Sequence, residues 1–391
     1  MKIRVVESGD TVDSIAQENG ISVSRLVYDN QIPYPYRLAV GQALLILTEQ
    51  EAEAASGGMD TGSQEIRVNG YAYPYISPFV LEQTLPYLTE LSIFSYGFTT
   101  EGRLLPPPLP VEWMISGAKG SGVLPVLTLT PFGADGRFSN YLIHALVSSE
   151  EAKATLIQEL LQTMEQMGYG GLDIDFEYIL AEDRDLFTQF VREVTEALRA
   201  RGYRVTIALA PKTSADQKGL LYEGKDYRAL GEIVDGALLM TYEWGYKYGP
   251  PMAVAPLNMV RRVVEYAVTE IPQQKLYLGI PNYGYDWPLP FVQGSTAART
   301  IGNIEAVQIA IAQGAEIQYD ETAQSPWFAY QEDGVEHVVW FEDVRSLQKK
   351  FELIQEFGLL GAGYWNIMQL FRANWLLLYT MPSFIILPVE K

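Results

Sequence analysis

Three acidic residues alternate with apolar residues in the run GLDIDFEY at positions 171–178. In an extended strand the side chains at i, i+2 and i+4 point to one face, so Asp173, Asp175 and Glu177 are predicted to lie together. Carboxylates this close resist full ionisation, and at least one is expected to keep its proton near neutral pH, as a general acid must. The pattern therefore predicts an active site. The alternative is an edge strand whose acids simply face water.

The composition excludes several kinds of chemistry. The 391 residues include no cysteine and two histidines, and the formal net charge is −20. Disulfides, thiolate catalysis and cysteine-bound zinc are excluded, and His144 and His337 are too far apart in the sequence to suggest a metal site. We therefore expect no metal and no cofactor. A chain this acidic lacks the positive field of a nucleic-acid-binding protein, so no nucleic-acid partner is expected.

We expect neither a membrane span nor an export signal at the two ends of the sequence. Residues 1–7 lack an apolar stretch of signal-peptide length, and the apolar segment 375–389 contains two prolines and is too short to span a bilayer. We expect no membrane span and no classical signal peptide. The last segment is interpreted as a core helix followed by a packed tail. The protein is expected to be a monomer.

The first 48 residues predict a small domain with the element order strand, helix, helix, strand. Residues 3–6 and 40–47 have the apolar character of strands. Thr11 and Ser22 are suited to cap the two helices between them, and Gly20 is suited to end the first helix. Pro33 and Pro35 interrupt the chain before the closing strand. The module is therefore predicted to be a βααβ unit.

This module resembles a LysM domain in its residues Ser8-Gly9-Asp10-Thr11, Ile15-Ala16, Gly20, Leu26, Asn30 and Gly41-Gln42-x-Leu44-x-Ile46. The resemblance implies binding to glycans that contain N-acetylglucosamine, namely peptidoglycan or chitin-like polymers. A structural spacer is the alternative, because about 45 residues build only a small core. Residues 49–65 contain five acidic residues and no basic residue, and are predicted to be an acidic linker. The module is expected to fold separately from the rest.

From residue 66 to residue 391 the sequence predicts one α/β domain. Short apolar strands alternate with amphipathic helices, which is typical of a closed (β/α)8 TIM barrel. The predicted strands are residues 66–72, 91–96, 124–129, 171–177, 204–209, 236–240, 275–280 and 361–365, and the clearest helices are 151–167, 183–201, 257–269 and 343–357. Catalytic residues of such barrels lie at the C-terminal ends of strands, and Glu177 ends the fourth.

A long stretch follows the seventh predicted strand before the next barrel helix begins. Residues 303–312 are helix-like, and Asp333-Gly334 lies between two aromatic, strand-like segments. Asp-Gly between such segments is a strong signal for a hairpin. A small α+β insertion over the catalytic face is therefore predicted at residues 287–342.

Aromatic and polar residues at other strand ends are suited to a sugar ligand. Aromatic rings stack on the C–H faces of a sugar, while acids and amides bind its hydroxyl groups. For any one aromatic residue, packing in the core is the alternative role. The candidates for substrate binding are Tyr73, Met240, Glu243, Asn282, Tyr283 and Trp365.

The acidic strand, the Met240-Thr241-Tyr242 run and Trp365 together resemble glycoside hydrolase family 18. With the LysM-like module, the whole chain resembles the spore-associated N-acetylglucosaminidases that degrade cortex peptidoglycan. The resemblance implies retaining hydrolysis of N-acetylglucosaminyl β-1,4 linkages, in which the substrate's own acetamido oxygen attacks the anomeric carbon. It also implies a spore or cell-wall location.

The same resemblance implies a role for each catalytic candidate. Glu177 is expected to protonate the leaving oxygen and later to activate water. Asp175 is expected to orient the acetamido group and to stabilise its positive charge, and Asp173 to share a proton with Asp175. Tyr242 is expected to hydrogen-bond the acetamido oxygen. Trp365 is expected to form the floor beneath the cleaved sugar, and Glu243, where many members have aspartate, to contact sugar hydroxyls.

Other functions stay open on the sequence. One is a chitinase or chitooligosaccharide hydrolase, although the motif begins with Gly170-Gly171 where most chitinases of the family have Asp-Gly. Another is a non-catalytic, wall-binding lectin on the same fold, but such proteins commonly lose the equivalent of Glu177. A third is a metal-dependent enzyme with the three acids as ligands. A calcium loop would need polar residues between the acids, where this chain has Ile174 and Phe176.

Overall fold

The computed structural model describes residues 1–51, 64–133 and 136–386. The chain begins with β1 (Lys2–Val5), α1 (Val12–Asn19), α2 (Val23–Asp29) and β2 (Ala43–Ile46), and the two strands pair antiparallel. Thr11 and Ser22 cap the helices as predicted, and Gly20 ends α1 with a φ of 66°, which glycine adopts without strain. The predicted βααβ order is confirmed. Most of the predicted linker, residues 52–63, lies outside the described residues.

The next part of the chain alternates strands with helices. Its elements, in order, are β3 (Gln64–Ala72), α3 (Pro78–Thr84), β4 (Glu90–Phe98), β5 (Leu104–Leu105), α4 (Glu112–Gly120), β6 (Leu124–Leu129), α5 (Asn140–Val147), α6 (Glu150–Met167), β7 (Gly171–Ile174), α7 (Arg184–Arg199), β8 (Arg204–Leu209), α8 (Tyr227–Ile233), β9 (Gly236–Leu239), α9 (Leu257–Glu270) and β10 (Leu276–Pro281).

An antiparallel sheet follows the seventh barrel strand, β10. It is built from β11 (Gly284–Pro288), β12 (Arg299–Ile301), β13 (Gln318–Asp320), β14 (Ser325–Glu332) and β15 (Val335–Trp340), with α10 (Asn303–Gln313) packed on it. Asp333 and Gly334 form the predicted turn between β14 and β15, and both have positive φ, 50° and 79°. The α+β insertion is confirmed as a feature of the fold. Its sheet begins at Gly284, because β11 starts just after β10 ends.

The chain closes with α11 (Val344–Phe357), β16 (Gly361–Trp365), α12 (Arg372–Thr380) and β17 (Phe384–Ile386). In the described residues the barrel ring runs β3, β4, β6, β7, β8, β9, β10 and β16, and β16 pairs in parallel with β3 to close it. The predicted (β/α)8 barrel is confirmed. The helix predicted in the C-terminal segment is α12, and the tail after it packs as β17, a parallel strand beside the start of β3.

The barrel core decides which way the acidic strand faces. Leu172, Ile174 and Phe176 are fully buried, and the Phe176 ring packs on Phe187 and Phe190 of α7 at centroid distances of 5.6 and 5.9 Å. These apolar residues point toward the helices, so the alternating acids point to the barrel interior. β7 ends at Ile174 rather than at residue 177, although the Asp175 N–H still donates to the Leu129 carbonyl oxygen at 2.9 Å.

The N-terminal module packs directly against the barrel. Leu44 and Ile46 belong to the module's own core, whereas Leu45 and Leu47, each 1% exposed, belong to the core that contains the barrel. Adjacent residues of β2 therefore face two different cores. Arg372, at the start of α12, donates its backbone N–H to the Gln31 side chain at 2.6 Å. The structure does not fit the expectation of a separately folding module.

No helix in the described ranges is long and apolar enough to cross a membrane.

A buried ion pair joins α11 to the residue that follows the insertion hairpin. Lys350 Nζ lies 2.9 Å from a carboxylate oxygen of Glu342, and both side chains are inaccessible to solvent. Lys350→Met should cost about 3–5 kcal/mol of unfolding free energy, because it leaves an unpaired carboxylate in the core. The double variant Lys350→Met, Glu342→Gln should regain a large part of that loss. Chemical denaturation of the three proteins tests this, and equal losses in the single and double variants would contradict it.

Candidate active site

Asp173 is the deepest of the three acids and is fully buried inside the barrel. Its carboxylate accepts hydrogen bonds from the Tyr71 hydroxyl at 2.8 Å and from Thr206 Oγ1 at 2.6 Å. Burial raises the pKa of Asp173 to about 6, although the two hydrogen bonds act to lower it. Asp173 therefore changes its protonation near neutral pH while staying fixed in position.

Asp175, two residues further along the chain than Asp173, lines an open cavity at the C-terminal end of the barrel strands. Its side chain is buried, and Oδ1 has no hydrogen-bond partner within the described part of the chain. Burial raises the pKa of Asp175 well above its usual range, and the charges of Glu177 and Asp173 raise it further. A buried acceptor without a donor is costly, so this atom is poised to accept a hydrogen bond from a ligand.

Glu177 is half-buried and lines the same cavity. Burial raises its pKa, the charge of Glu243 raises it further, and the charge of Lys225 lowers it. The sequence led us to expect repulsion between like charges as the main cause, but burial is the larger effect. A glutamate with a raised pKa keeps its proton to a higher pH than an exposed glutamate, which suits it to act as a general acid.

The open cavity measures about 710 Å³ and brings together most of the predicted site residues. Tyr242 is nearly buried, and burial raises its pKa well above the usual value, so its hydroxyl stays a hydrogen-bond donor. The Trp365 ring packs against Tyr73 and Phe94 at centroid distances of 5.9 and 5.0 Å. The predicted residues that line this cavity are Tyr73, Asp175, Glu177, Met240, Tyr242, Glu243 and Trp365.

A second cavity of about 530 Å³ shares the walls formed by Tyr73 and Trp365 and is lined by the other two predicted substrate-binding residues, Asn282 and Tyr283. Asn282 Nδ2 donates to the backbone carbonyl oxygens of Asn366 and Gln369 at 3.0 and 2.9 Å, so its amide group already holds the loop after β16. The structure thus gives Asn282 a supporting contact rather than a free donor for a sugar.

Glu243 has a positive φ of 67° and directs its side chain along the cavity wall. Its Oε1 accepts hydrogen bonds from the hydroxyls of Tyr283 and Tyr285, the latter at 2.9 Å. The two tyrosines hold one carboxylate oxygen and leave the other for a ligand. The predicted contact of Glu243 with sugar hydroxyls therefore stays a prediction for that second oxygen.

Several site residues were not predicted from the sequence. Tyr71 and Thr206 bind Asp173 from two different strands, and further aromatic side chains complete the cavity wall. Tyr71, Tyr73 and Tyr75 alternate along and just beyond β3, and this regular spacing was a usable signal. The additional aromatic residues that line the larger cavity are Tyr71, Phe94, Phe132, Phe138, Tyr178 and Tyr246.

The structure gives no support to the metal-site alternative. Among the residues described, no group of three or more His, Asp or Glu side chains is arranged to hold a metal ion. Both oxygens of Asp173 are occupied by the hydroxyls of Tyr71 and Thr206. Two neutral hydroxyl donors at these distances fit a buried carboxylate that is fixed by hydrogen bonds.

Comparison with known proteins adds to this geometry. A family model described as glycosyl hydrolases family 18 matches residues 129–369, a range that contains all three acids, Tyr242 and Trp365. The chain belongs to glycosyl hydrolases family 18. A LysM domain model matches residues 5–46, within the N-terminal module. The predicted membership of family 18, the LysM domain and the assignment as a glycoside hydrolase are confirmed.

Relatives share both parts of this family 18 chain. It is 37% identical to the cortical fragment-lytic enzyme of Bacillus subtilis (strain 168), over 97% of each protein. The spore cortex-lytic enzyme SleL of Bacillus cereus has a similar structure, with a TM-score of 0.92 and 32% identity over 100% of this chain and 99% of that one. A chitinase of Chromobacterium violaceum ATCC 12472 has a similar structure over 81% of this chain and 98% of the chitinase chain, with 24% identity and a TM-score of 0.74. That chitinase shares the fold.

Proposed function

We propose that this family 18 hydrolase cleaves N-acetylglucosaminyl β-1,4 linkages in spore cortex peptidoglycan, with retention and with assistance from the substrate. One observation carries the proposal: a glutamate with a raised pKa and an unpaired Asp175 oxygen face one aromatic-walled cavity. The first is suited to donate a proton to a leaving group, and the second to bind an amide N–H. The names of the relatives, which are cortical fragment-lytic and cortex-lytic enzymes, support the choice of polymer.

In the first step Glu177 gives its proton to the glycosidic oxygen, and the bond from that oxygen to the anomeric carbon breaks. The acetamido oxygen of the same sugar bonds to the anomeric carbon, which produces a cyclic oxazolinium ion. Asp175, ionised, accepts the acetamido N–H and stabilises the positive charge, and Tyr242 donates its hydroxyl to the acetamido oxygen. The sugar lies over Trp365.

In the second step the ionised Glu177 takes a proton from a water molecule as the water oxygen bonds to the anomeric carbon. The oxazolinium ring opens, the acetamido group is restored, and Glu177 is protonated again. Two displacements at one carbon give net retention. Asp173 shares a proton with Asp175 and takes it up, so that Asp175 is ionised before the bond breaks. The raised pKa of Asp173, about 6, suits it to accept a proton near neutral pH.

The LysM domain is proposed to bind the glycan strands of the same polymer, so that the enzyme works in association with the spore or the cell wall. A weak second contact raises the effective concentration of glycan at the catalytic cavity. Since the domain packs on the barrel, we infer that it presents the polymer in a fixed direction relative to the cavity. The proposed enzyme is a monomer.

Mass spectrometry of reaction products tests the proposal. The protein is incubated separately with spore cortex fragments, vegetative peptidoglycan and chitin oligomers, and we expect cortex products that end in reducing N-acetylglucosamine. Preferred cleavage of chitin oligomers would favour the chitinase alternative, and binding without cleavage would favour the lectin. De-N-acetylated oligomers should resist cleavage, because they lack the acetamido nucleophile. Efficient cleavage of them would refute substrate assistance.

A further inference from the structure

A buried lysine lies behind the catalytic carboxylates. Lys225, in the loop between β8 and α8, is 2% exposed, and its Nζ donates to the carbonyl oxygen of Ala208 at 2.9 Å. In the parallel pairing of β7 with β8, Ile174 lies opposite Ile207, so Asp175 and Ala208 are the next positions along. The ammonium group of Lys225 is therefore held level with Asp175. Ala208, which accepts its hydrogen bond, also lines the larger cavity.

The charges around Lys225 are those of the catalytic acids. Burial lowers the pKa of Lys225, and the charges of Asp175, Glu177 and Asp173 oppose that effect. In return Lys225 lowers the pKa of each of the three acids. Among the described residues, other titratable groups that interact with these acids are acidic or phenolic: Tyr71, Tyr73, Glu90, Tyr178, Tyr242 and Glu243.

Three carboxyl groups in a buried site would each tend to keep a proton, because an isolated buried charge is costly. The proposed reaction needs an unequal distribution, with Asp175 ionised and Glu177 protonated before the bond breaks. A single buried cation offsets the cost of one ionised carboxyl group among the three acids, while the other two can stay protonated. Lys225 has that charge, and its position is fixed by Ala208 and by the loop around it.

We propose that Lys225 is a positioning residue whose ammonium group is the countercharge that keeps Asp175 ionised while Glu177 retains its proton. The inference rests on the proposed function and deepens it. Lys225 acts through the carboxylates and does not itself touch the substrate.

The chain offers a matched control in the same loop. Lys212 is also buried, and its Nζ donates to the backbone carbonyl oxygens of Ala215 and Lys225 at 3.3 and 3.1 Å. The charges that act on Lys212 are those of Asp226, Arg184, Glu270 and Asp216, all outside the catalytic group. Lys212→Met therefore removes a buried ammonium group and loosens the loop without removing the charge beside the acids.

The first measurement is the dependence of kcat/KM on pH, for the wild type, Lys225→Met and Lys212→Met, on an N-acetylglucosamine oligosaccharide. In Lys225→Met both limbs of the profile should shift to higher pH by about one pH unit, because the acids lose a nearby positive charge. On the acidic side kcat/KM should be about tenfold lower than in the wild type. Lys212→Met should keep the limbs of the wild type. The proposal fails if the Lys225→Met profile superimposes on that of the wild type, or if both variants shift equally.

A third variant, Lys225→Gln, separates loss of the charge from loss of the fold. Lys225→Gln retains an N–H donor for the Ala208 carbonyl oxygen but carries no charge, so it should show the same upward shift as Lys225→Met. If the pH profile of Lys225→Gln superimposed on that of the wild type, the proposed role of the Lys225 charge would be wrong. This variant also supplies the answer if the methionine variant does not fold.

The second measurement needs no turnover. The melting temperature of each variant minus that of the wild type is followed from about pH 4 to about pH 7. At the acidic end the carboxyl groups are neutral and Lys225 is an unpaired buried charge, which the variant lacks. As the pH rises, the acids ionise and the variant lacks their countercharge, so the difference for Lys225→Met should fall. A constant difference would overturn the proposal. If the wild type cleaved no substrate but this difference fell as expected, the proposed function would fail while the charge pairing stood.

Discussion

Glu177→Gln is expected to lower the rate of glycan hydrolysis by about 100-fold or more while leaving the fold and glycan binding nearly intact. The amide has the shape of the carboxyl group but no proton to give to the leaving oxygen. Glu177 is half-buried at the cavity, so the substitution exposes no core and leaves no buried charge without a partner. The loss should therefore fall on kcat rather than on the free energy of unfolding.

Glu182→Gln is the matched control for this experiment, because Glu182 follows the same strand but is exposed to solvent. Both variants and the wild type should be compared by kcat on a soluble N-acetylglucosamine oligosaccharide, by calorimetric binding of that ligand and by melting temperature. Glu182→Gln should match the wild type in all three. A Glu177→Gln enzyme with nearly normal kcat would refute the role of Glu177 as general acid, and one with a much lower melting temperature would leave the loss ascribed to unfolding.

The acidic strand could be predicted because its signal is local. Asp173, Asp175 and Glu177 alternate with apolar residues, and the period of a strand alone decides that the two sets point to opposite faces. The hairpin at Asp333-Gly334 was predictable for the same reason, since the turn requires positive φ at two successive residues. Such features depend on neighbours in the sequence and need no knowledge of the rest of the fold.

The partners of the acids could not be predicted because they come from distant strands and loops. Tyr71 precedes Asp173 by about a hundred residues, and Lys225 follows it by about fifty, in a loop that carries no motif. Only closure of the barrel brings their side chains to one place. The main cause of the raised pKa values was also missed, because burial depends on the whole domain, whereas the spacing of like charges can be read from the sequence.

The docking of the LysM domain did leave a signal in the sequence. The closing strand β2 and Leu47 just after it are apolar at every position from Ala43 to Leu47, so neither face of this segment is suited to water. A two-stranded sheet that needed only its own small core would alternate apolar and polar residues. Leu44 and Ile46 fill the module's own core, and Leu45 and Leu47 fill the core shared with the barrel. The second apolar face is therefore the sequence signal that the module packs against another part of the chain.

Deletion of residues 1–48 is therefore expected to destabilise the barrel as well as to weaken binding to insoluble polymer. The deletion removes Leu45 and Leu47 from the shared core, and burial of one leucine side chain contributes about 1.5–3 kcal/mol. We expect a loss of about 3–6 kcal/mol, a large part of the stability of an ordinary domain. The contact of Gln31 with the start of α12 is lost as well.

Tryptophan fluorescence can follow the barrel by itself, because all seven tryptophans lie after residue 48. In denaturant, the truncated protein should unfold at a lower midpoint than the full chain, or fail to fold, and its turnover of soluble oligosaccharides should fall at temperatures where it unfolds. Tyr34→Ala in the full chain is the control, since Tyr34 is 84% exposed and its loss should leave the midpoint unchanged. An unchanged midpoint and full soluble turnover after the deletion would show that the LysM domain contributes binding alone, and that the shared core adds nothing to the stability of the barrel.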